Sequence, residues 1–357
     1  MKKTVSILLS LLLCLLSLLP VAAADGTEEP ANGTFRMLNY NIAGLPSLNP
    51  TAGKTDLQRR LGQAVAADDY DLIAVQEDFG YDSAFSGALN TTYRTYGPQS
   101  VVTGDGLNLF SKTPIYNVAR EGWEMKGGML WEGDIVSQKG FLYAAVEIAD
   151  GVFIDVYDLH ADAFGGAESI AARASNFRQL QRFIEAHSEN RAVIITGDFN
   201  SSFHFFGGEG EDLYEIFIHQ LGMKDVWNEV VNNGSYTDYS GFSGDYWGHW
   251  DSVEHILYRS GETVTLTALS HAFISYRDAD GADFSDHAAA AAEFAYTVSG
   301  DSRPSACKPA ARALPSILRT ARIVYEDLSY VFSHFDEVIT MLKYANDMLY
   351  LYEHYLR

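Results

Sequence analysis

The sequence predicts an α/β fold in which two β-sheets pack face to face beneath a cover of helices, followed by a helical extension. Three observations carry this. Between residues 35 and 298, short apolar strand patterns alternate with turn clusters, and only two segments show clear helical periodicity. Several of those strands end on a polar or ionisable side chain. After Gly300 the pattern passes through an Ala-, Pro- and Ser-rich stretch into a helical repeat. Many strands with few helices suit sheets that bury one face on each other and the other under helices.

Taken in order, the 357-residue chain opens with Lys2 and Lys3, an apolar run to about Leu19, then Pro20 and Ala22, Ala23 and Ala24. Residues 1–24 thus read as a secretory signal peptide cleaved before Asp25, which predicts an extracellular protein. The apolar run is too short to favour an anchor, and the leucines before Cys14 replace the small residues that a lipoprotein site needs. Cleavage moves the formal charge from −22 to −24 and leaves Cys307 as the one cysteine, so no intrachain disulfide can form. Nucleic-acid binders gain affinity by neutralising phosphates with Lys and Arg, so this acidic balance disfavours duplex DNA as a partner.

The body spans residues 25–300. Residues 36–40 form a first strand that runs into Asn41. A first helix follows, with Thr55 and Gln58 as a capping-box pair and Leu57, Leu61, Ala64 and Val65 on one face. Residues 72–75 form a strand that runs into Gln76 and Glu77. Segments 141–148 and 152–159 flank Asp150-Gly151, a hairpin signal, and Val152, Ile154 and Val156 share a face that continues to Asp158 and His160. A second helix over 168–187 carries Ile170, Ala174, Phe177, Leu180 and Ile184 at helical spacing. The buried strand from Val193 to Thr196 stops on Gly197-Asp198-Phe199-Asn200. Glu254 lies in an apolar strand, and Ser285-Asp286-His287 precedes the Ala-rich strand starting at Ala288. Any one of these groups has an ordinary explanation: a turn for Asn41 or Asp198, an interior histidine for His160. Their recurrence at one strand end after another points to a rigid scaffold presenting reactive groups.

The segments "LNYNIAGLP", "LIAVQED", "YDLHADA", "ITGDFN" and "FSDHAA" resemble, in that order, motifs of the endonuclease/exonuclease/phosphatase superfamily of metal-dependent phosphoesterases. The resemblance covers about residues 35–298 and implies a four-layer α/β sandwich with its site at one edge of the sheets. "KGFLYAAV" and "GLNLFSKTPI" are similar to segments of the bacterial secreted sphingomyelinases. A phosphodiester resists attack, so its hydrolysis needs positive charge, an activated water and a proton for the leaving oxygen. Glu77 and Asn41 offer hard oxygen ligands suited to Mg²⁺, with other divalent cations as alternatives. The resemblance implies His287 as general base, with Glu254 standing where relatives carry an aspartate and Asp251 as a fallback partner. Asp198 and Asn200 would orient water or a second metal and bind a phosphate oxygen. His160 would bind phosphate or protonate the leaving group, and Asp286 would complete a metal or water network. Lys139 and Trp247 are the candidate substrate contacts.

The expected function is a secreted Mg²⁺-dependent phosphoesterase, foremost a sphingomyelinase-type phospholipase C. The rivals are a non-specific nuclease, an inositol-phosphate phosphatase and, outside enzymes, an inactivated scaffold used as a binding module. The runs "GWEMKGGMLWEG" and "GFSGDYWGHW" set Trp and Tyr beside glycine, which suits contact with a membrane surface. Residues 301–315 read as a linker and 316–357 as one long amphipathic helix. Ala321, Leu328, Phe335, Leu342, Leu349 and Leu356 recur every seven residues, interleaved by Val324, Val331, Val338, Ala345 and Tyr352. That stripe is expected either to cover an apolar face of the body or to pair with a second copy, giving self-association. No run of ~20 apolar residues marks it as a membrane span.

Overall fold

The structure, a computed structural model, describes residues 32–45, 53–101, 103–127, 138–203, 209–239, 252–310, 312–314 and 316–335, with Ile339 and Lys343. The signal-peptide segment, the tail beyond residue 335 except Ile339 and Lys343, and the residues Trp247 and Asp251 lie outside the described residues.

One six-stranded sheet has the order β11 (Val264–Ile274), β12 (Ala289–Val298), β1 (Asn32–Asn41), β2 (Leu72–Gln76), β4 (Asn108–Ser111), β3 (Tyr93–Arg94). The other has the order β5 (Ile115–Gly122), β6 (Gly140–Ala149), β7 (Val152–His160), β8 (Val193–Asp198), β10 (Glu254–Arg259), β9 (Lys224–Asp225). The two sheets share a core of Met37, Leu72, Leu109, Ala144, Ile154, Val156, Ile194, Ile256 and Phe294. Because alternate residues of a strand point to opposite faces, the neighbours of these residues form two outer cores. Leu38, Tyr40, Ile73 and Phe110 lie under Leu61 and Val65 of α1 (Lys54–Ala67) and Phe85 of α2 (Asp82–Ser86). Tyr157, Leu159, Val193 and Ile195 lie under Phe177, Leu180 and Ile184 of α3 (Ala167–His187) and Phe217 beyond α4 (Glu209–Leu213). Helix, sheet, sheet, helix is the four-layer sandwich expected. The hairpin forms as read, with Gly151 at φ +73° in its turn.

The capping box does not form. α1 starts at Lys54 behind Gly53, with no side-chain cap. Gln58 is buried instead, and its amide nitrogen donates to the carbonyl of Ile42 at 2.7 Å. A buried carbonyl at the end of β1 outweighs a helix end that water can satisfy.

α2 is anchored by a buried ion pair. Arg94 Nη2 and Nη1 donate to Asp82 Oδ1 and Oδ2 at 2.7 and 3.0 Å, with both side chains 1% exposed. Deleting one partner strands a buried charge. Asp82→Ala is therefore expected to cost about 3–5 kcal/mol in a denaturant titration; a loss below about 1 kcal/mol would refute the anchor.

After α5 (Val226–Val230), the C-terminal helix α6 (Ser316–Ser333) rests one face on the body. Asp327 Oδ1 accepts from the backbone nitrogens of Gln99 and Ser100 (3.0 and 3.1 Å) and from Thr103 Oγ1 (2.7 Å), while Arg319 Nη1 donates to the Ser83 carbonyl. The opposite face leaves Tyr325, Leu328, Phe332 and Phe335 exposed. The stretch before the helix is bonded along its length, Ala310 N to the Ile115 carbonyl at 2.7 Å and Ala313 N to the Thr92 carbonyl at 2.8 Å. Among the described residues no helix is long and apolar enough to cross a membrane.

Candidate active site

The polar strand ends converge because the period of a β-strand is two. Met37, Asn39 and Asn41 share the inner face of β1, as do Val156, Asp158 and His160 in β7, Ile194, Thr196 and Asp198 in β8, and Ile256 and Glu254 in β10. Down the sandwich the inner layer is apolar. It then turns polar through a buried network: Gln76 Nε2 donates to Asn39 Oδ1 (2.8 Å) and Asp158 Oδ1 (2.6 Å), and Asn39 Nδ2 to the Gly197 carbonyl (3.0 Å). Burial pushes the Asp158 carboxyl well above its ordinary range, against the hydrogen bond from Gln76. Above that layer, strand register places His160 beside Asp198 and Asp198 beside Glu254.

Gly197 explains why the strand closes on a carboxylate and an amide. Its φ is +146°, and a Cβ there would lie 2.0 Å from the Leu159 carbonyl. The close approach keeps Asp198 against its neighbours, and only glycine permits it. Glu77 (φ +56°) and Asn200 (φ +48°) also adopt left-handed backbone, which non-glycine residues seldom take and which concentrates at functional sites.

Asn41 is the hub. Its Nδ2 donates to Asp198 Oδ2 at 3.0 Å and Glu77 Oε1 at 3.3 Å and lies 3.4 Å from His287 Nε2; its Oδ1 accepts from Ala43 N. The amide nitrogen, not the oxygen, therefore faces the carboxylates. Asp198 Oδ1 accepts from the Asn200 backbone nitrogen at 2.9 Å, and Oδ2 stands 3.4 Å from His160 Nε2 and 3.9 Å from His287 Nε2. His287 Nδ1 is hydrogen-bonded to Glu254 Oε1, whose Oε2 accepts from Ser252 Oγ at 2.5 Å. Glu254 thus reaches the imidazole, as the resemblance required of the residue at this position. Asn200 Nδ2 and Lys139 Nζ both donate to the Ala161 carbonyl, at 3.1 and 3.3 Å. Asp286 stands at the rim, its side chain 74% exposed and 4.0 Å from His287 Nε2.

Two histidines are driven in opposite directions. Burial, reinforced by Lys139, lowers His160 to about 3 despite Asp198, so it is neutral. Burial also opposes the charge on His287, but the hydrogen bond that its Nδ1 donates to Glu254 and the fields of Asp198, Glu254 and Asp286 outweigh it and raise His287 to about 10. Glu77 is pushed above its ordinary range by burial, against Asn41 and Lys139. A half-buried hard carboxylate short of positive charge suits a divalent cation. Asp198, Glu254 and His287 also place one potential ligand atom each within 4.8 Å of one another, but His287 Nδ1 is already engaged by Glu254.

Glu77→Gln keeps the shape and removes the charge. It is expected to weaken Mg²⁺ binding in calorimetry at least tenfold while leaving the melting temperature near that of the parent. An unchanged Mg²⁺ isotherm would move the cation to the Asp198–Glu254–His287 group.

Three residues support the site in roles that the sequence did not assign them: Ser252 beneath Glu254, Ser285 Oγ on the Asn41 carbonyl (2.7 Å), and Trp123 Nε1 on the His160 carbonyl (2.7 Å). Trp123 is 5% exposed, so this first aromatic of the glycine-rich runs packs beneath the site and offers nothing to a membrane.

No family model matches the chain. Sphingomyelinases of Mycobacterium bovis and Mycobacterium tuberculosis are 29% identical over 287 residues, covering 77% of this chain and 56% of theirs. The chain therefore spans about half the length of the curated relatives it matches. Among solved structures, beta toxin from Staphylococcus aureus with bound magnesium ions superposes with a TM-score of 0.52 (18% identity, 73% of this chain, 99% of that one). D. rerio TDP2 complexed with a single-strand DNA product gives 0.55 (15%, 73% and 99%). An endonuclease/exonuclease/phosphatase family protein from Bacteroides thetaiotaomicron gives 0.51 (16%, 75% and 96%). These likenesses and the strand-end cluster agree: the chain has the fold of the endonuclease/exonuclease/phosphatase superfamily and is similar in sequence to the mycobacterial sphingomyelinases.

Proposed function

We propose that this chain is a secreted, Mg²⁺-dependent phosphodiesterase that hydrolyses the head-group ester of a sphingomyelin-type phospholipid. The observation that carries the hydrolytic reading is the convergence of Asn41, Glu77, His160, Asp198, Glu254 and His287 at one end of the sandwich. Glu77 would hold the cation. A divalent cation there would supply positive charge to the phosphoryl oxygens and favour the neutral imidazole that a general base requires. His287, oriented through Nδ1 by Glu254, would take a proton from water at Nε2. Asp198 would fix that water, and Asn200 and Lys139 would meet phosphoryl oxygens. Neutral His160 suits donation of a hydrogen bond better than loss of a proton.

The lipid is favoured by the acidic charge and by Leu45, Met125 and Phe164, which are 40%, 42% and 52% exposed on loops beyond β1, β5 and β7. Exposed apolar side chains near the mouth suit a lipid interface. The similarity to mycobacterial sphingomyelinases supports the same substrate. The DNA product bound by the TDP2 neighbour keeps a nuclease as the second reading. Incubating purified protein with Mg²⁺ and, separately, sphingomyelin, phosphatidylcholine, plasmid DNA and inositol phosphates, with EDTA controls, decides between them. Release of phosphocholine from sphingomyelin is expected; nicking of plasmid alone would replace the lipid reading. The N-terminal residue of the exported protein, expected to be Asp25, tests secretion.

A further inference from the structure

A cleft of about 560 Å³ opens beside the chain that leaves β8, lined by Phe203, Glu211, Asp212, Tyr214, Glu215 and Tyr236. Three of its residues are aromatic and meet at steep angles. The ring centroids of Phe203 and Tyr236 are 5.3 Å apart at 77°, and those of Tyr214 and Tyr236 are 5.7 Å apart at 63°. The back wall is fixed: Tyr236 Oη accepts from Asp225 N at 2.7 Å, and the Phe203 ring lies 5.1 Å from that of His255. Tyr214 stays 41% exposed. It opens a seven-residue π-helix, Tyr214–Gln220, a conformation that is rare and concentrates at functional sites.

The charges at the cleft are carboxylates, with no lysine or arginine among the lining residues. Asp212 is paired with Arg178 at 2.8 Å, and Glu215 is hydrogen-bonded to His219 and Gln220. Glu211 adds a third carboxylate. Aromatic faces and carboxylates both attract cations, and aromatic walls favour one with apolar surface and weak hydration over a small hydrated ion. We propose that this cleft binds an alkylated ammonium group of the choline type, carried by a lipid head group or free in solution. Phe203 follows Asn200 by three residues, so roughly 10 Å of chain separates the cleft from the catalytic cluster. The site stands apart from the hydrolytic reading, since binding is measured without turnover.

The test titrates the intact protein by calorimetry with choline and tetramethylammonium, and with 3,3-dimethylbutanol, a neutral molecule of choline's shape, at constant ionic strength. Both cations are expected to saturate the protein, and the neutral alcohol to bind at least tenfold more weakly. Tyr214→Ala is expected to weaken choline about 2- to 30-fold, Tyr214→Phe to leave it near the parent, and Glu211→Gln to weaken it severalfold. Glu211 is exposed, so that variant keeps the test decisive if Tyr214→Ala fails to fold. Equal binding of the neutral alcohol, full displacement of choline by equimolar Mg²⁺, or choline affinity unchanged in both variants would overturn the site. Flotation with phosphatidylcholine and phosphatidylglycerol vesicles separates the sources. Selective retention on phosphatidylcholine that Tyr214→Ala lowers assigns a lipid head group; soluble binding with retention unaffected assigns the free cation; both uphold the cleft.

Discussion

His287→Ala is expected to lower kcat by about 10²–10⁴-fold at saturating substrate, the range for loss of a general base. The side chain contributes little to packing: it is 13% exposed and lies outside the three apolar cores. It is hydrogen-bonded to Glu254 and lies 3.4 Å from the Asn41 amide. Removing it leaves Glu254 with the Ser252 hydroxyl as a remaining partner, so circular dichroism and the melting transition should stay close to those of the parent. Glu254→Gln is a milder version, because an amide can still position the ring but no longer stabilises its cation. Near-normal kcat in His287→Ala, with a normal fold, would mean that another group takes the proton.

Asp198→Ala should be comparably damaging, on the order of 10²–10³-fold in kcat. One carboxylate here receives the Asn41 amide and the Asn200 backbone nitrogen and faces both histidines. Its removal frees the Asn41 amide from the geometry that also fixes Glu77 and leaves His160 without the group opposite its Nε2. Both kcat and the apparent Mg²⁺ requirement should therefore shift, whereas His287→Ala should move kcat alone. Equal Mg²⁺ dependence in the two variants would show that Asn41 does not couple the halves of the site.

Much of this was legible in the sequence because a strand has a fixed period. Once Val193 to Thr196 is a buried strand, Asp198 must share a face with Thr196 and Ile194, and the same step carries Val156 to His160. The order of the polar strand ends then gave the superfamily resemblance and its four layers. What the sequence could not show depends on which surfaces meet. Gln58 read as a cap but turns inward, because a buried carbonyl at Ile42 lies within its reach. Trp123 read as a candidate for a membrane but packs under His160, since nothing local to a glycine-rich run says which side of the loop will be covered. Ser252 and Ser285 are ordinary until the fold brings Glu254 and the Asn41 carbonyl to them. The aromatic cleft joins residues more than thirty positions apart along the chain, from Phe203 to Tyr236, so no local pattern announced it.

Hydrolysis of sphingomyelin in H₂¹⁸O with Mg²⁺, read by ³¹P nuclear magnetic resonance and mass spectrometry of both products, tests the central claim most directly. In the proposed mechanism, water activated by His287 and fixed by Asp198 would attack phosphorus, so one ¹⁸O should appear in the phosphocholine and none in the ceramide, with turnover lost in EDTA. Label in the alcohol product, or full turnover in EDTA, would contradict the mechanism assigned to this cluster.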